Sequence, residues 1–284
     1  MTVLDEVPLA EVPGAVLRRL RELPETLDGG VPVGPFSSAR PGRLLRVVPG
    51  VGRFLARDGL ALEIAVEAEA DPAAVDALAH GGVLGALIHQ RGELPLHATT
   101  LVAPDGRGAV ALAGDSGAGK STTAYELLRR GWRMLSDDLT RVTIVDGRPL
   151  AWPGRASTRL LLDACDAFGL DPTRLAPAPA WPDKYVVPVT RWNEPLPLAA
   201  VVCLQRSEGA LDVAQVAGAA AVPLLAAQTY RLHYVAALGQ SATHLRLLAA
   251  TLTTTRLLRL TGAGSVSEVA SAIEYATSHA RSLT

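Results

Sequence analysis

The chain has 284 residues, enough for one large domain or two modest ones and for a substantial core. Hydrophobic residues make up 49% and charged residues 19%, which excludes a disordered chain. With 27 Lys+Arg against 28 Asp+Glu the net charge is −1, so there is no global basic footprint for nucleic acid.

Along the chain, the stretch to about Arg43 is rich in Pro and Gly and holds one helical candidate, Ala15 to Leu23. It shows no basic segment leading into an apolar one, so no secretory signal is visible and a cytoplasmic location is expected. Leu44 to Val48 and Leu60 to Val66 (LALEIAV) read as strands. Asp71 and Pro72 read as an N-cap and first helical position, opening a helix through Leu87. Gly108 to Ala113 (GAVALA) is a short apolar run, hence a buried strand. Thr122 to Arg130 has helical spacing and ends at Gly131, and "WRMLS" is a further strand delivering Asp137 and Asp138 at its end. "TRVTIVDG" is strand-like, a helix is expected over Ser157 to Phe168, and the prolines of "APAPAWPDKYVVPVTRW" point to irregular or edge structure. "LAAVVCLQR" reads as a buried strand. Helical patterns (LLAAQTYRLHYVAAL, HLRLLAATLTTTR), a short strand (LLRLTG) and a closing helix follow. No apolar run reaches the roughly 18 residues of a membrane span, so no membrane partner is expected. Cys165 and Cys203 lie in apolar surroundings and read as buried free thiols.

The densest chemical signal is "GDSGAGKST", residues Gly114, Asp115, Ser116, Gly117, Ala118, Gly119, Lys120, Ser121 and Thr122. Gly114-x4-Gly119-Lys120-Ser121 matches the Walker A pattern in full. Glycines let backbone N–H groups close on phosphate oxygens, Lys120 brings positive charge to the terminal phosphates, and Ser121 offers a hydroxyl to Mg²⁺. The helix that follows adds its positive end. A nucleoside triphosphate is the expected ligand: ATP, with GTP as the alternative.

Asp137 and Asp138 come one helix and one short strand later. Beside Mg²⁺ and phosphate, one carboxylate can hold the metal while the other accepts a proton from an attacking hydroxyl. His97 precedes the strand that feeds the loop, in "LPLHATTLVAPDGRGAVALAG".

The combination "LHATTLVAPDGRGAVALAGDSGAGKSTTAYELLRRGWRMLSDDLTRV", about a sixth of the chain, resembles the catalytic domain of HPr serine kinases. His97, Gly114 to Ser121, Arg130-Gly131 and Asp137-Asp138 occupy the corresponding places. "GALIHQRGELPLHA" and "DKY" are more loosely similar to stand-alone relatives found beside peptide-maturation genes, some of which phosphorylate lasso-peptide precursors on a hydroxyl. The resemblance implies an α/β fold, a P-loop domain of the HPr kinase and phosphoenolpyruvate carboxykinase type. That type has a mixed curved sheet with flanking helices and not a Rossmann sheet. Residues 91–284 would form this catalytic domain, preceded by a small α+β region over 1–90. By position, Lys120 would bind the β/γ phosphates, Ser121 would contact Mg²⁺ and His97 would line the site. The Asp137/Asp138 pair would divide base and metal contact between them, with Asp137 favoured as base and Asp138 as metal contact. The acidic-Arg-Gly-Leu-Gly segment of the bifunctional enzymes is missing. The comparable region reads "WPGRASTRLLLDACDAFGLD", with Arg155 and Arg159 as the nearest phosphate-contacting candidates. That departure argues against phosphorolysis and against HPr itself as substrate. HPr kinases are hexamers, and a homo-oligomer stays open here.

Among other residues, Lys184 in "PDKYVV" is a candidate for a phosphate or an acidic substrate. Tyr230 and Tyr234, with Arg231 and His233 between them, fit one packed helical face, and His89 a helix end. Trp152, Trp181 and Trp192 could build a nucleobase or peptide pocket, or anchor Pro-rich loops. No Cys/His spacing suggests zinc. The resulting expectation is a Mg²⁺- and ATP-dependent kinase acting on a Ser or Thr hydroxyl of a peptide or small protein. The rivals are a kinase of a small-molecule alcohol and a nucleotide-binding regulator without phosphotransfer.

Overall fold

A computed structural model describes residues 2–178 and 181–278. The chain forms two compact units, 1–95 with 230–247, and 96–229 with 248–284. In the first, strands β1 (Val3–Pro8), β2 (Val16–Leu20), β3 (Val31–Pro32), β4 (Ser37–Arg40), β5 (Arg43–Val48), β6 (Gly52–Arg57) and β7 (Ala61–Val66) make one sheet in the order β1-β2-β7-β6-β5-β4-β3. Only β2 and β7 run parallel. Helix α1 (Pro72–Leu78) is capped by the Asp71 carboxylate, which accepts from the Ala73 N–H, as its Asp-Pro start dictates. A π-helical turn over Ala79–Val83 leads into α2 (Leu84–Gln90), which packs on β6 and β7. Phe54, Leu62, Ile64, Leu87 and Ile88 are buried in this unit.

The helix expected over Ala15 to Leu23 is instead strand β2. A run of that length is a marginal helix alone, whereas Val16–Leu20 finds hydrogen-bonding partners on both sides, β1 and β7. The helix expected from Pro72 through Leu87 is broken at Gly81-Gly82, where Gly81 leaves helical geometry with φ −98° and ψ −112°.

The second unit holds β8 (Leu94–Leu96, at its boundary), β9 (Ala98–Val102), β10 (Ala109–Ala113), α3 (Lys120–Arg129), β11 (Arg133–Ser136), β12 (Thr140–Val145) and β13 (Arg148–Ala151). It continues through β14 (Thr158–Leu161), α4 (Leu162–Ala167), β15 (Ala176–Ala178), β16 (Trp181–Val187), β17 (Leu196–Arg206), β18 (Asp212–Gln215) and α5 (Ala221–Ala227). The chain then returns to the first unit for α6 (Tyr234–Ala237). Helix α7 (Ser241–Thr251) crosses back to the second, which closes with β19 (Arg256–Gly262) and α8 (Val266–Ser278). The main sheet runs β11-β9-β10-β17-β13-β12-β8, with β19 also on β17 and β18 on β19. It is mixed: β10, β17 and β19 are parallel, and β9 is antiparallel to β10 and to β11.

With these strand directions, the C-terminal ends of β10, β11, β17 and β19 and the N-terminal end of β9 all fall on one edge of the sheet. Helices α3 and α8 pack together over a core that includes Leu112, Leu127, Trp132, Val202, Leu260 and Ile273. A separate three-stranded sheet has the order β14-β16-β15. Within the helix expected at Ser157 to Phe168, Thr158–Leu161 therefore pairs as a strand, and only Leu162–Ala167 is helical. Segment 181–187 is the central strand of that sheet and not an edge. Its proline is accommodated because register slips by β15 between Tyr185 and Trp181, where Pro182 lies. Cys165 and Cys203 are buried free thiols as expected.

Candidate active site

The GDSGAGKST loop leaves the end of β10, and its glycines do what side chains would prevent. At Gly114 (φ 137°) a Cβ would lie 2.5 Å from the Leu204 carbonyl oxygen of neighbouring β17, so the loop can turn there only without a side chain. Gly119 (φ 94°) starts α3 without a side-chain cap, leaving the amides of Lys120, Ser121 and Thr122 with no intrahelical acceptor. Those amides, at the positive end of a ten-residue helix, suit an anion. Lys120 folds back over the loop, its Nζ donating to the carbonyls of Gly114 (2.6 Å) and Asp115 (3.1 Å). Burial lowers its pKa, against the opposing pull of Asp138, Asp115 and Asp137; Lys184 adds to the lowering. These couplings bring Lys184, on β16, to the same neighbourhood.

Asp137 and Asp138 follow β11 on that sheet edge and differ sharply in setting. The Thr99 hydroxyl donates to Asp137 Oδ1 at 2.7 Å, and the Asp137 N–H donates to the Arg155 carbonyl at 2.7 Å. Burial pushes the Asp137 carboxyl up to about 6, against the Thr99 bond and the positive charge of Arg159, while the Asp138 charge pushes it further up. Asp138 is more open to solvent and sits in the left-handed region at φ 65°, an uncommon conformation for a non-glycine residue. His97 holds it there: Nδ1 lies 3.2 Å from the Asp138 carbonyl oxygen and 3.4 Å from its Oδ1. The antiparallel register that sets Ala98 opposite Ala113 explains how His97 comes to the root of the loop. Beneath the aspartates, a chain of buried hydroxyls (Ser136 to Thr140 at 2.8 Å, Thr140 to Thr100 at 2.7 Å) ties β9, β11 and β12 together.

On the other side of the loop a cleft of about 170 Å³ opens between Gly119, Thr122 and Thr123 and the ends of β17 and β19. Leu204, Leu260 and Val269 give it an apolar wall, Gly262 and Gly264 a backbone wall, and Arg206 a charged rim. A Cβ on Gly119 would lie 3.4 Å from the Arg206 guanidinium.

The fold thus brings His97, Lys120, Asp137, Asp138 and Lys184 to the neighbourhood of the loop, with Arg159 close enough for its charge to act on Asp137 and Arg155 placed beside Asp137 through its backbone carbonyl. Sequence reasoning missed Thr99 and Arg206. Thr99 was legible, two residues after His97 and so on the same side of an extended strand. Arg206 was not, because only the parallel pairing of β17 with β10 puts its strand end beside the loop. Arg130 is turned away: its guanidinium bonds Glu126, Glu274 and Ser267, tying α3 to α8. Trp152 and Trp192 form no shared pocket; each stacks with an arginine, Arg141 at 4.4 Å and Arg133 at 4.1 Å. The side chain of Trp181 lies outside the described set. Tyr230, Arg231, His233, Tyr234 and His89 belong to the first unit. His89 is buried there, its Nε2 2.9 Å from the Tyr230 carbonyl, and burial pushes its pKa down to about 4. Among the described residues no cluster of three or more His, Cys, Asp or Glu stands ready for a metal, and no helix is long and apolar enough to cross a membrane.

No protein-family model matches the chain. Over 45 residues it is 47% identical to the HPr kinase/phosphorylase of Treponema pallidum strain Nichols, and equally to that of a second strain, of Treponema pallidum subsp. pallidum. The match covers 16% of this chain and 14% of the length of those relatives. Among solved structures, the Hpr(Ser) kinase/phosphatase from Coxiella burnetii aligns over 64% of this chain and 95% of its own, at 12% identity and a TM-score of 0.31.

Proposed function

We propose that this HPr kinase-like chain is a kinase that transfers the γ-phosphoryl group of a nucleoside triphosphate to a Ser or Thr hydroxyl of a peptide or small protein. The observation that carries the reading is the Asp137 carboxylate. It is oriented by Thr99, raised by burial to a pKa of about 6, and electrostatically coupled to the lysine of the Walker A loop.

In this reading the loop amides and Lys120 hold the β and γ phosphates, Lys120 leaving the Gly114 and Asp115 carbonyls as they bind. Asp137 takes the proton of the acceptor hydroxyl. The hydroxyl oxygen forms a bond to the γ-phosphorus as the bond to the bridging β,γ-oxygen breaks, and the diphosphate leaves with that electron pair. Most of the acceleration comes from positioning and charge compensation, since the protein contributes little covalent chemistry. The Ser121 hydroxyl and the Asp138 carboxylate are hard oxygen donors of the kind Mg²⁺ takes alongside phosphate oxygens, and Mg²⁺ there would offset charge on those phosphates. His97 keeps Asp138 in its left-handed conformation and so aims the carboxylate. The cleft beside Gly119 would take the nucleoside, and Arg159 and Lys184, whose charges act on Asp137 and Lys120, would help hold an acceptor.

The test is to incubate the protein with Mg²⁺ and labelled ATP together with peptides encoded beside its gene, and to read mass. A gain of one phosphate, lost in Asp137→Asn with nucleotide binding retained, is expected. Transfer to small alcohols alone would move the acceptor class. No transfer to any acceptor, with nucleotide still bound, would leave a binding protein and overturn the kinase.

A further inference from the structure

The first unit carries a cationic site that the phosphotransfer reading does not use, built on the π-helical turn. Gly81 departs from helical geometry there, and wide turns of this kind recur at functional positions. The next residue, Gly82, is buried, and polar groups from two other segments converge on it. A Cβ on Gly82 would lie 3.3 Å from the Tyr234 hydroxyl, 3.7 Å from Arg231 Nε and 3.7 Å from Arg46 Nη1. Arg46 comes from β5, and Arg231 and Tyr234 from the returning segment 230–247.

Three features set this cluster apart from ordinary surface arginines. Arg46 Nε is shielded from solvent and has no hydrogen-bond partner among the described residues. Arg231 is held at φ 53°, a left-handed conformation that costs a non-glycine residue energy and recurs at ligand sites. The nearby Tyr230 ring, 5.6 Å away, is a face for its guanidinium and not a counter-charge. The acids close to the turn, Glu11 and Asp76, point at His80 (3.2 and 3.7 Å). Elsewhere in the unit an arginine facing inward meets a carboxylate, as Arg57 meets Glu63 at 2.6 Å. Arg231 is exposed and Arg46 half-buried, yet both guanidiniums come close to the buried Gly82, and like charges brought together there repel each other unless an anion lies between them.

We propose that Arg46, Arg231 and Tyr234, with the Gly81-Gly82 turn, form a binding site for an oxyanion: the carboxylate or phosphate group of a ligand. Forked guanidinium donors suit both groups, the tyrosine hydroxyl adds a further donor, and Gly82 leaves the room a side chain would fill.

The test is thermal melting of the full chain at constant ionic strength, with sodium phosphate or sodium acetate replacing sodium chloride. It is run in a Lys120→Ala background to weaken anion binding at the nucleotide loop, and the substitutions below separate the proposed site from any binding left at the loop amides. A saturable rise in Tm is expected with at least one of the two anions, and which one responds identifies the group. Arg46→Gln/Arg231→Gln should weaken the apparent affinity at least tenfold. Gly82→Ala, which favours helix and so should fold, should do the same by filling the space. No saturable rise in the Lys120→Ala protein would overturn the site, as would a rise unchanged by both sets of substitutions. Loss of phosphotransfer in the Lys120→Ala protein bears only on the kinase reading, so the two ideas fail separately.

Discussion

Two carboxylates, one in each unit, sit in opposite electrostatic settings, one ion-paired and one, in the proposed reading, held for chemistry. Glu63 lies in the central part of the first sheet, 5% exposed, and is met by Arg57 at 2.6 and 3.0 Å and by Arg18 at 3.8 Å. Asp137, at the edge of the second unit's sheet, receives a hydroxyl from Thr99 and feels the positive charge of Arg159, yet burial outweighs both. The first is neutralised by direct ion pairs that a proton would break. The second is oriented without being neutralised, so burial keeps its proton affinity high. A carboxylate held in geometry and short of counter-charge is what a general base requires.

The largest expected effect is on phosphotransfer. Asp137→Asn should lower kcat by about 10²–10⁴-fold while nucleotide affinity changes little, measured by single-turnover transfer and by nucleotide titration. Lys120→Ala should instead weaken nucleotide binding itself, which separates the base from the phosphate cradle. Next, Glu63→Gln should cost on the order of 1–3 kcal/mol of stability, discounted because Arg57 is partly solvated, and leave transfer per folded molecule unchanged. A kinetic defect without a loss of Tm would break the contrast between the two carboxylates.

A finer effect concerns pH. As the base, Asp137 must be ionised, so kcat/KM should rise with pH through about 6 and then level off. Thr99→Val removes a bond that holds the carboxyl pKa down, so the inflection should move to higher pH. An inflection that stays in place would show that Thr99 does not set this group's acidity.

The smallest effect is on stability. Because the folded pKa of Asp137 is raised, the folded state binds more protons than the unfolded chain between roughly the unperturbed carboxyl value and about 6. Stability from this group is therefore greatest below that window and falls as pH rises through it. Asp137→Asn, which still offers Thr99 an acceptor, should raise Tm by a few degrees at about pH 7–8 and little near pH 4, measured by melting across pH. A variant less stable at every pH would mean the carboxylate's role is structural.

Much of the site could be read from residues close in sequence. The glycines and lysine of the loop, the apolar strand before it, the helix after it and the strand that ends in Asp137-Asp138 form one local series. Each member is set by spacing and residue type alone. Elements whose identity hangs on a distant partner were misread. Val16–Leu20 and Thr158–Leu161 carry helical spacing but become strands, since pairing with β7 and β16 satisfies their backbones. The returning segment 230–247 gives no local sign that it belongs with residues 1–95.

The sequence by itself determined that a glycine-rich loop of Walker A pattern exists, where its helix starts and which acids follow it. Those properties arise from glycine's freedom at positive φ and from contacts between near neighbours. Tertiary structure alone decided that Thr99 orients Asp137, that His97 restrains Asp138, that Arg206 borders the loop and that two arginines meet at Gly82. The first three depend on strand direction and register between segments far apart in the chain, and the last on the return of segment 230–247 to the first unit. A one-residue slip would turn every such side chain to the opposite face, and no local pattern records that choice.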